Sequence, residues 1–241
     1  MNLKAYVLIQ IGFGLVTAIF YYLLLIELKK GLAKTSITLD RQKKIFSGTI
    51  IGLVVWIFFV SIWSLTGMMA DFSLFPFNFM PILAIPLVTI LIITYSKIFK
   101  EIIIHIPQQN LIRLQSFRIF VEILLWALYV INLAPVQMTF EGRNFDILAG
   151  LSAIIVAYFI SKGSISKSGI AIWNIVCLGL LINIVVIAIL SLPTPFRIFM
   201  NEPTNTVVTE FPISFLPGLL VPLAYGLHFF SLRKLALKNN N

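Results

Sequence analysis

Residues 5–26 read AYVLIQIGFGLVTAIFYYLLLI, a run of 22 residues without Asp, Glu, Lys or Arg. At 1.5 Å per helical residue, about 20 apolar residues match the ~30 Å thickness of the bilayer hydrocarbon. Unpaired backbone groups in lipid cost several kcal/mol each, so the run is expected to be helical. It is too long for a signal-peptide core, and no small-x-small cleavage pattern follows it. These features predict a retained first membrane helix.

The composition of the whole chain agrees with a membrane location. Of its 241 residues, 59% are hydrophobic and 11% are charged, whereas an ordinary soluble domain has about 25% charged residues. The formal net charge is +9, but the basic residues lie between the apolar runs, which favours an orientation signal over nucleic-acid binding. Cys177 is the sole cysteine, so the sequence excludes a disulfide framework and a cysteine metal cluster.

Six further apolar runs follow the first. The sequence therefore predicts an all-α, polytopic bundle that forms a single transmembrane domain over residues 1–241. The fifth run is short and needs local bilayer thinning or burial by its neighbours. The seven predicted helices are 5–27, 46–67, 80–98, 117–134, 146–161, 169–191 and 213–233.

The distribution of Lys and Arg predicts the orientation of this bundle. Three of the eighteen, Lys4, Arg143 and Arg197, fall on one side of the seven helices, and fifteen fall on the other. The positive-inside rule makes the richer side cytoplasmic. We therefore expect an external N-terminus, a cytoplasmic C-terminus and a multi-pass protein of the cell (plasma or inner) membrane. The fifteen are Lys29, Lys30, Lys34, Arg41, Lys43, Lys44, Lys97, Lys100, Arg113, Arg118, Lys162, Lys167, Arg233, Lys234 and Lys238.

Two proline-rich segments match each other at an offset of 136 residues. Residues 75–88 read FPFNFMPILAIPLV and residues 211–224 read FPISFLPGLLVPLA, with seven identities in fourteen positions. Three matched prolines are hard to obtain from an apolar composition alone. The match predicts an internal repeat, with repeat 1 at about 5–98, a linker helix at about 117–134 and repeat 2 at about 146–233.

Both repeats start on the same side of the membrane, so they are parallel copies related by an axis along the membrane normal. Parallel repeats recur in transporters, and the alternative is a duplicated scaffold without a solute pathway. The three-one-three order of seven helices with an external N-terminus resembles the SWEET and PQ-loop superfamily, which implies that fold for the whole chain in outline. A Pro-Gln pair is present at Pro107-Gln108, in a connection between helices. The run from Ile106 to Tyr158 also resembles small bacterial integral membrane proteins of uncharacterised activity.

Prolines interrupt two of the predicted helices. Pro86 and Pro222 each remove a helical hydrogen bond and free the carbonyls of Ile82 and Gly218. A freed carbonyl in a membrane helix must find a partner or line a cavity. Matched broken helices therefore point to a central substrate site, and a packing kink is the alternative. The hinge candidates are Pro86, Pro222, Pro81 and Pro217.

Polar residues inside apolar runs provide the remaining candidates. Gln115, Arg118 and Glu122 are spaced i, i+3 and i+7, so they share one helical face. Glu122 is an intramembrane carboxylate, and Arg118, one turn earlier, is its predicted ion-pair partner. Glu122 then serves either as half of a neutralised pair or as a proton-coupling or gating group. Asn183 either bonds a neighbouring helix or contacts a ligand. The predicted substrate-binding residues are Glu122, Asn183, Ile82 and Gly218.

The functional prediction follows from the repeat and these residues. A small-solute transporter that alternates access by rocking repeat 1 against repeat 2 is the leading hypothesis. A non-transporting receptor or scaffold that binds a protein or lipid is the alternative, and a haem or quinone redox protein using His105 and His228 is a smaller one. The sequence lacks zinc-protease, nucleophile-elbow and Walker A motifs and a lysine for a retinal Schiff base, so we predict no enzyme, no cofactor and no metal. The expected partners are the lipid bilayer and a small solute, with no nucleic acid.

Overall fold

The structure, a computed structural model, describes residues 3–237. Every regular element within these residues is helical and no strand is present, which confirms the all-α prediction. Lys238, one of the fifteen basic residues counted above, lies outside the described residues. The α-helices are α1 (Leu3–Leu32), α2 (Leu39–Leu65), α3 (Met80–Tyr95), α4 (Lys97–Ile103), α5 (Gln108–Leu114), α6 (Phe117–Val130), α7 (Asp146–Ser161), α8 (Lys167–Leu190) and α9 (Val221–Ala236).

Three helices, α1, α2 and α8, are long and apolar enough to cross a membrane. Helices α3 and α4 form a fourth such span if they are taken together, although the chain bends by 74° between them. The bend occurs at Ser96, whose hydroxyl accepts a hydrogen bond from the Phe99 backbone N–H at 3.1 Å. This is an N-cap, which ends the predicted 80–98 helix early and starts a new one.

The short helix α5 precedes a break at Gln115 and Ser116. The fourth predicted helix, 117–134, is observed as α6, which begins at the predicted residue and ends four residues early, at Val130. It packs closely against α7, which presents a buried face of small residues. A Cβ placed on Gly150 of α7 would lie 2.8 Å from the Ile119 backbone nitrogen. Small residues in this position let two helix backbones approach each other.

The connection from α6 to α7, residues 131–145, is irregular and partly buried. Ala134, Met138, Thr139 and Asn144 each have 2% or less of their surface exposed. A Cβ on Gly142 would collide with the Val136 carbonyl, so the loop can pass this point only as glycine. Non-helical backbone is tolerated at membrane depth where protein covers it.

The second proline-rich segment forms a π-helical turn, Leu216–Leu220, directly before α9. The carbonyl of Gly218, which Pro222 was expected to free, accepts a hydrogen bond from the Trp56 indole N–H at 2.8 Å. The next carbonyl, at Leu219, accepts one from the Tyr21 hydroxyl at 3.0 Å. Side chains of α1 and α2 therefore satisfy the broken turn. The Phe75-Pro76 and Phe211-Pro212 peptide bonds, at matched positions of the two segments, are both cis.

Helix α9 occupies the centre of the bundle and α2 its periphery. Residues 222–228 of α9 are all buried, as expected for a helix surrounded on every side. In α2 only Val60 and Ser64 are buried. The core that holds the polar residues described next is therefore formed by α5 to α9, with α1 and α3 beside it.

Candidate functional site

Arg118, at the start of α6, is the largest fully buried side chain among the described residues. Its Nε donates to Asp146 Oδ2 at 2.6 Å and its Nη2 donates to Asp146 Oδ1, so the pair is bidentate. Nη2 also donates to the Cys177 carbonyl at 3.3 Å. The sequence therefore predicted the wrong partner for Arg118, which pairs with Asp146 and not with Glu122. Asp146 takes that place because the N-terminus of α7 packs directly against α6.

His228 of α9 extends this pair toward α8. Arg118 Nη1 lies 3.2 Å from His228 Nε2. A guanidinium only donates, so Nε2 accepts and the ring proton resides on Nδ1, which donates to Asn174 Oδ1 at 2.9 Å. Both ring nitrogens are engaged, so neither is free to bind haem iron or zinc. Within residues 3–237 no cluster of three or more His, Cys, Asp and Glu is suited to a metal ion.

The chain of polar contacts continues from Asn174 to the end of the bundle where α5 begins. Asn174 Nδ2 donates to Ser231 Oγ at 2.8 Å. The same hydroxyl accepts a hydrogen bond from Gln108 Nε2 at 2.6 Å. Side chains of five helices, α5 to α9, thus join in one buried network that includes Arg118 and Asp146.

Glu122 lies one turn beyond Arg118 and is 1% exposed. Asn144 Nδ2 donates to both of its oxygens, at 2.8 and 2.7 Å, and to the Met138 carbonyl at 3.0 Å. Asn144 Oδ1 accepts from the Asp146 backbone N–H at 3.0 Å, which joins Glu122 to the network. Among the described residues, Asn144 provides the side-chain donor to this carboxylate. Since one amide group serves two oxygens that together have about four acceptor sites, Glu122 retains spare acceptor capacity.

A cavity of about 80 Å³ lies beside Glu122. Its walls are mainly Leu, Ile, Val and Phe side chains, and its polar lining residues are Arg118, Glu122, Asp146 and Asn205. Asn205 Nδ2 donates to the Ala188 carbonyl at 3.2 Å, whereas its buried Oδ1 has no partner among residues 3–237. The guanidinium of Arg118 is already engaged. The free polar groups of this cavity are therefore hydrogen-bond acceptors.

The four predicted substrate-binding residues do not face one space, because only Glu122 borders the cavity. Ile82 is fully buried in the apolar core. Gly218 packs against α2, where an added Cβ would lie 2.8 Å from Val60 Cγ1. Asn183 lies on the exposed face of α8 and donates to the Arg143 carbonyl at 3.0 Å, so it bonds a connection instead of a neighbouring helix.

The predicted hinge prolines are also divided between two places. Pro217 lies in the π-helical turn and lines the cavity beside Glu122. Pro86 and Pro222 line a separate groove next to α2, and Pro81 lies in the first turn of α3. The two matched segments therefore meet in two places. Pro86 and Pro222 line this groove, whereas Phe79 and Leu83 of the first segment and Leu216 and Pro217 of the second line the cavity beside Glu122.

Sequence reasoning missed Asn144 and the roles of Asp146, Asn174 and His228. Asn174 and His228 both interrupt apolar runs, and an intramembrane polar residue calls for a buried partner. That pattern was available in the sequence. Asn144 and Asp146 carried no such indication, because they read as part of a charged external turn.

No curated protein and no solved structure matches the chain. A family model described as "Domain of unknown function (DUF8737)" matches residues 76–236. This range covers about two thirds of the chain and contains the whole polar network, from Gln108 to Ser231. The chain therefore belongs to the DUF8737 family.

Proposed function

We propose that this chain is a membrane transporter for a small organic cation and that it exchanges the cation for a proton on Glu122. The observation that carries the proposal is the lining of the cavity: apolar walls whose free polar groups, on Glu122 and Asn205, are acceptors. A ligand for such a site has an apolar body and donates hydrogen bonds from a cationic nitrogen. Alkylammonium and alkylguanidinium ions have this chemistry.

The size of the cavity limits the ligand. At about 80 Å³ it is smaller than the 150 Å³ engineered cavity that accommodates benzene, and it exceeds the ~30 Å³ that one water molecule occupies in the liquid. A cation of a few heavy atoms fits these bounds. Larger amphipathic cations would require the cavity to open.

The charges around the cavity give the reason for proton exchange. Arg118 and Asp146 neutralise each other within hydrogen-bonding distance. Among residues 3–237, no cationic side chain directly contacts the buried Glu122 carboxylate, and an uncompensated buried charge is costly. Either a proton or a bound cation removes this cost. Because the proton and the organic cation would bind Glu122 alternately, transport of the cation in one direction would be coupled to transport of a proton in the other.

The proposal includes the finer arrangement expected from the sequence. It comprises seven spans in the cell membrane, an external N-terminus, parallel repeats over 5–98 and 146–233, and the topology that resembles SWEET and PQ-loop proteins. Support comes from α6, which begins at the predicted start of the fourth span, and from the matched segments, which line a shared groove through Pro86 and Pro222. In this proposal the two repeats rock against each other to give alternating access. The chain would then be a transporter and not an enzyme.

The test is ion exchange by the purified chain in proteoliposomes that contain a pH-sensitive dye. Methylguanidinium is the probe, because its permanent charge keeps it from leaking through lipid. We expect an inward methylguanidinium gradient to drive proton release from the vesicles, and Glu122→Gln to abolish it. Glu141→Gln is the matched control, since Glu141 is an exposed acid that accepts a hydrogen bond from Trp126. Equal proton release by both variants, or none by the wild type, would overturn the proposal.

A receptor or scaffold is the second candidate, and a specific observation favours it. Ile82, Asn183 and Gly218 lie away from the cavity, and most of its lining is apolar, whereas a hydrated pathway would need more polar groups. The same preparation distinguishes the two functions. Saturable methylguanidinium binding that Glu122→Gln removes, without proton release in vesicles, identifies a receptor.

A further inference from the structure

Helix α2 is buried most deeply near its C-terminal end. Its two buried residues, Val60 and Ser64, lie in its last third, and Ser64 Oγ donates to the Thr209 carbonyl at 2.6 Å. Toward its start, α2 is separated from α1, α3 and α9 by two adjoining cavities of about 360 and 520 Å³. These share Tyr21, Pro222 and five further lining residues, so we describe them together as the α2 groove.

The length of the α2 groove corresponds to one leaflet of a bilayer. Along α2 its lining extends from Lys44 to Trp56, which at 1.5 Å per residue is about 18 Å. The hydrocarbon of a whole bilayer is about 30 Å thick. Gly48 and Gly52 face the groove, and a Cβ on either would meet nothing within 4 Å. The groove is therefore an apolar trough with room for a flexible chain.

Positive charge surrounds one end of the α2 groove. Lys44 is exposed and lines the groove itself. Lys43, on the same turn of α2, and Lys97, which follows the lining residue Ser96, are also exposed. Asp40 and Glu101 are the acids on the same helices. Basic residues therefore outnumber acids where a headgroup would lie, and each Lys near a membrane surface favours anionic lipid.

We infer that the α2 groove is a binding site for one anionic phospholipid. One acyl chain lies in the trough between α2 and the helices α1, α3 and α9, and the phosphate lies against Lys44. The site is distinct from the cavity beside Glu122, since the two share no lining residue.

The test is native mass spectrometry of the full chain in detergent with an equimolar mixture of phosphatidylglycerol and phosphatidylcholine. We expect one phosphatidylglycerol per chain to be retained over phosphatidylcholine. Lys44→Gln reduces this preference about fivefold, and its control, Lys167→Gln, changes an exposed lysine at the start of α8 without effect. Gly52→Leu fills the trough and removes both lipids. Gly179→Leu, at an α8 glycine that also has open space around it, leaves retention unchanged.

Three results would overturn the inference. Equal retention of the two lipids would show that Lys44 selects no headgroup. Equal losses in Gly52→Leu and Gly179→Leu would show that the lipid binds elsewhere. A dimer that Gly52→Leu dissociates, without bound lipid, would assign the groove to a second copy of the chain.

Discussion

Arg118 and Asp146 depend on each other, because both are almost completely removed from solvent. Their side chains are 1% and 7% exposed, and each satisfies the other with two hydrogen bonds. Removing one charge from such a pair leaves its partner buried without compensation, whereas removing both does not. Replacing one residue of the pair is therefore expected to lower the free energy of unfolding more than replacing both.

We predict that Arg118→Met lowers the free energy of unfolding by about 3–5 kcal/mol. In Arg118→Met/Asp146→Leu a large part of this loss should be recovered. The measurement is denaturation of each variant in detergent, followed by circular dichroism. Lys30→Met is the control. Lys30 pairs with Glu27 but is itself 63% exposed, so the loss should not exceed about 1 kcal/mol. A double variant as unstable as Arg118→Met would show that the pair has a role beyond mutual neutralisation.

The sequence predicted part of this chemistry at the residue scale. Glu122 and Arg118 were found because each is a charge in or beside an apolar run, and that property needs no knowledge of the fold. The partner of Arg118 was wrong because helical spacing compares residues of one helix only. Asp146 lies 28 positions along the chain and meets Arg118 only after α7 packs on α6. The contact of His228 with Asn174 likewise requires α8 and α9 to be placed side by side.

At the scale of elements, α7 and α8 were predicted closely, whereas α2 begins seven residues before the predicted 46 and the helices interrupted by proline or Ser96 differ from their predicted bounds. The bounds of α7 coincide with the predicted 146–161, and α8 begins and ends within two residues of 169–191. Helix α9 begins at Val221 instead of 213. The polar residues on either side of a continuous apolar run indicate where the helix begins and ends. In the last segment Pro217 and Pro222 remove two backbone donors, and hydropathy does not register that a π-helical turn replaces regular helix there.

The π-helical turn provides a prediction at this scale. Gly218→Ala should destabilise the protein by about 1–3 kcal/mol, because the new methyl group would meet Val60 Cγ1 at 2.8 Å and push α2 away. Val60→Ala in the same chain should restore most of the loss. The thermal midpoint of the detergent-solubilised protein is the measurement.

The control for Gly218→Ala is Gly179→Ala, where nothing lies within 4 Å of the added Cβ. Replacing this helical glycine should leave stability unchanged or raise it by up to about 1 kcal/mol. If Gly218→Ala behaved in the same way, α2 would not be held by the contact between Val60 and the turn.

At the scale of the whole molecule, the orientation in the membrane is open to a direct test. We expect Ser36→Cys, between α1 and α2, to react with a membrane-impermeant maleimide only after cells are permeabilised. Ser73→Cys and Asn201→Cys, in the connections after α2 and α8, should react in intact cells. All three positions are exposed, and the buried Cys177 is first replaced by alanine. Reaction of Ser73→Cys and Asn201→Cys from opposite sides would contradict the seven-span arrangement.

The arrangement of helices around α9 could not be predicted from the sequence. Burial of residues 222–228 on every side and the peripheral position of α2 depend on which apolar faces meet, and all faces of these helices are similarly apolar. The polar network lies wholly within the DUF8737 match at residues 76–236, whereas α1 and α2 lie before it. The part of the chain that defines the family is therefore the part that encloses the buried charges.

Asn144, the residue that positions Glu122, belongs to the irregular connection between α6 and α7 and not to a helix. Connections accept insertions, deletions and substitutions more readily than the elements that they join. The surroundings of the carboxylate can thus diverge in evolution while the scaffold of helices stays constant. If the cavity binds the proposed cation, this connection would determine which cations are accepted.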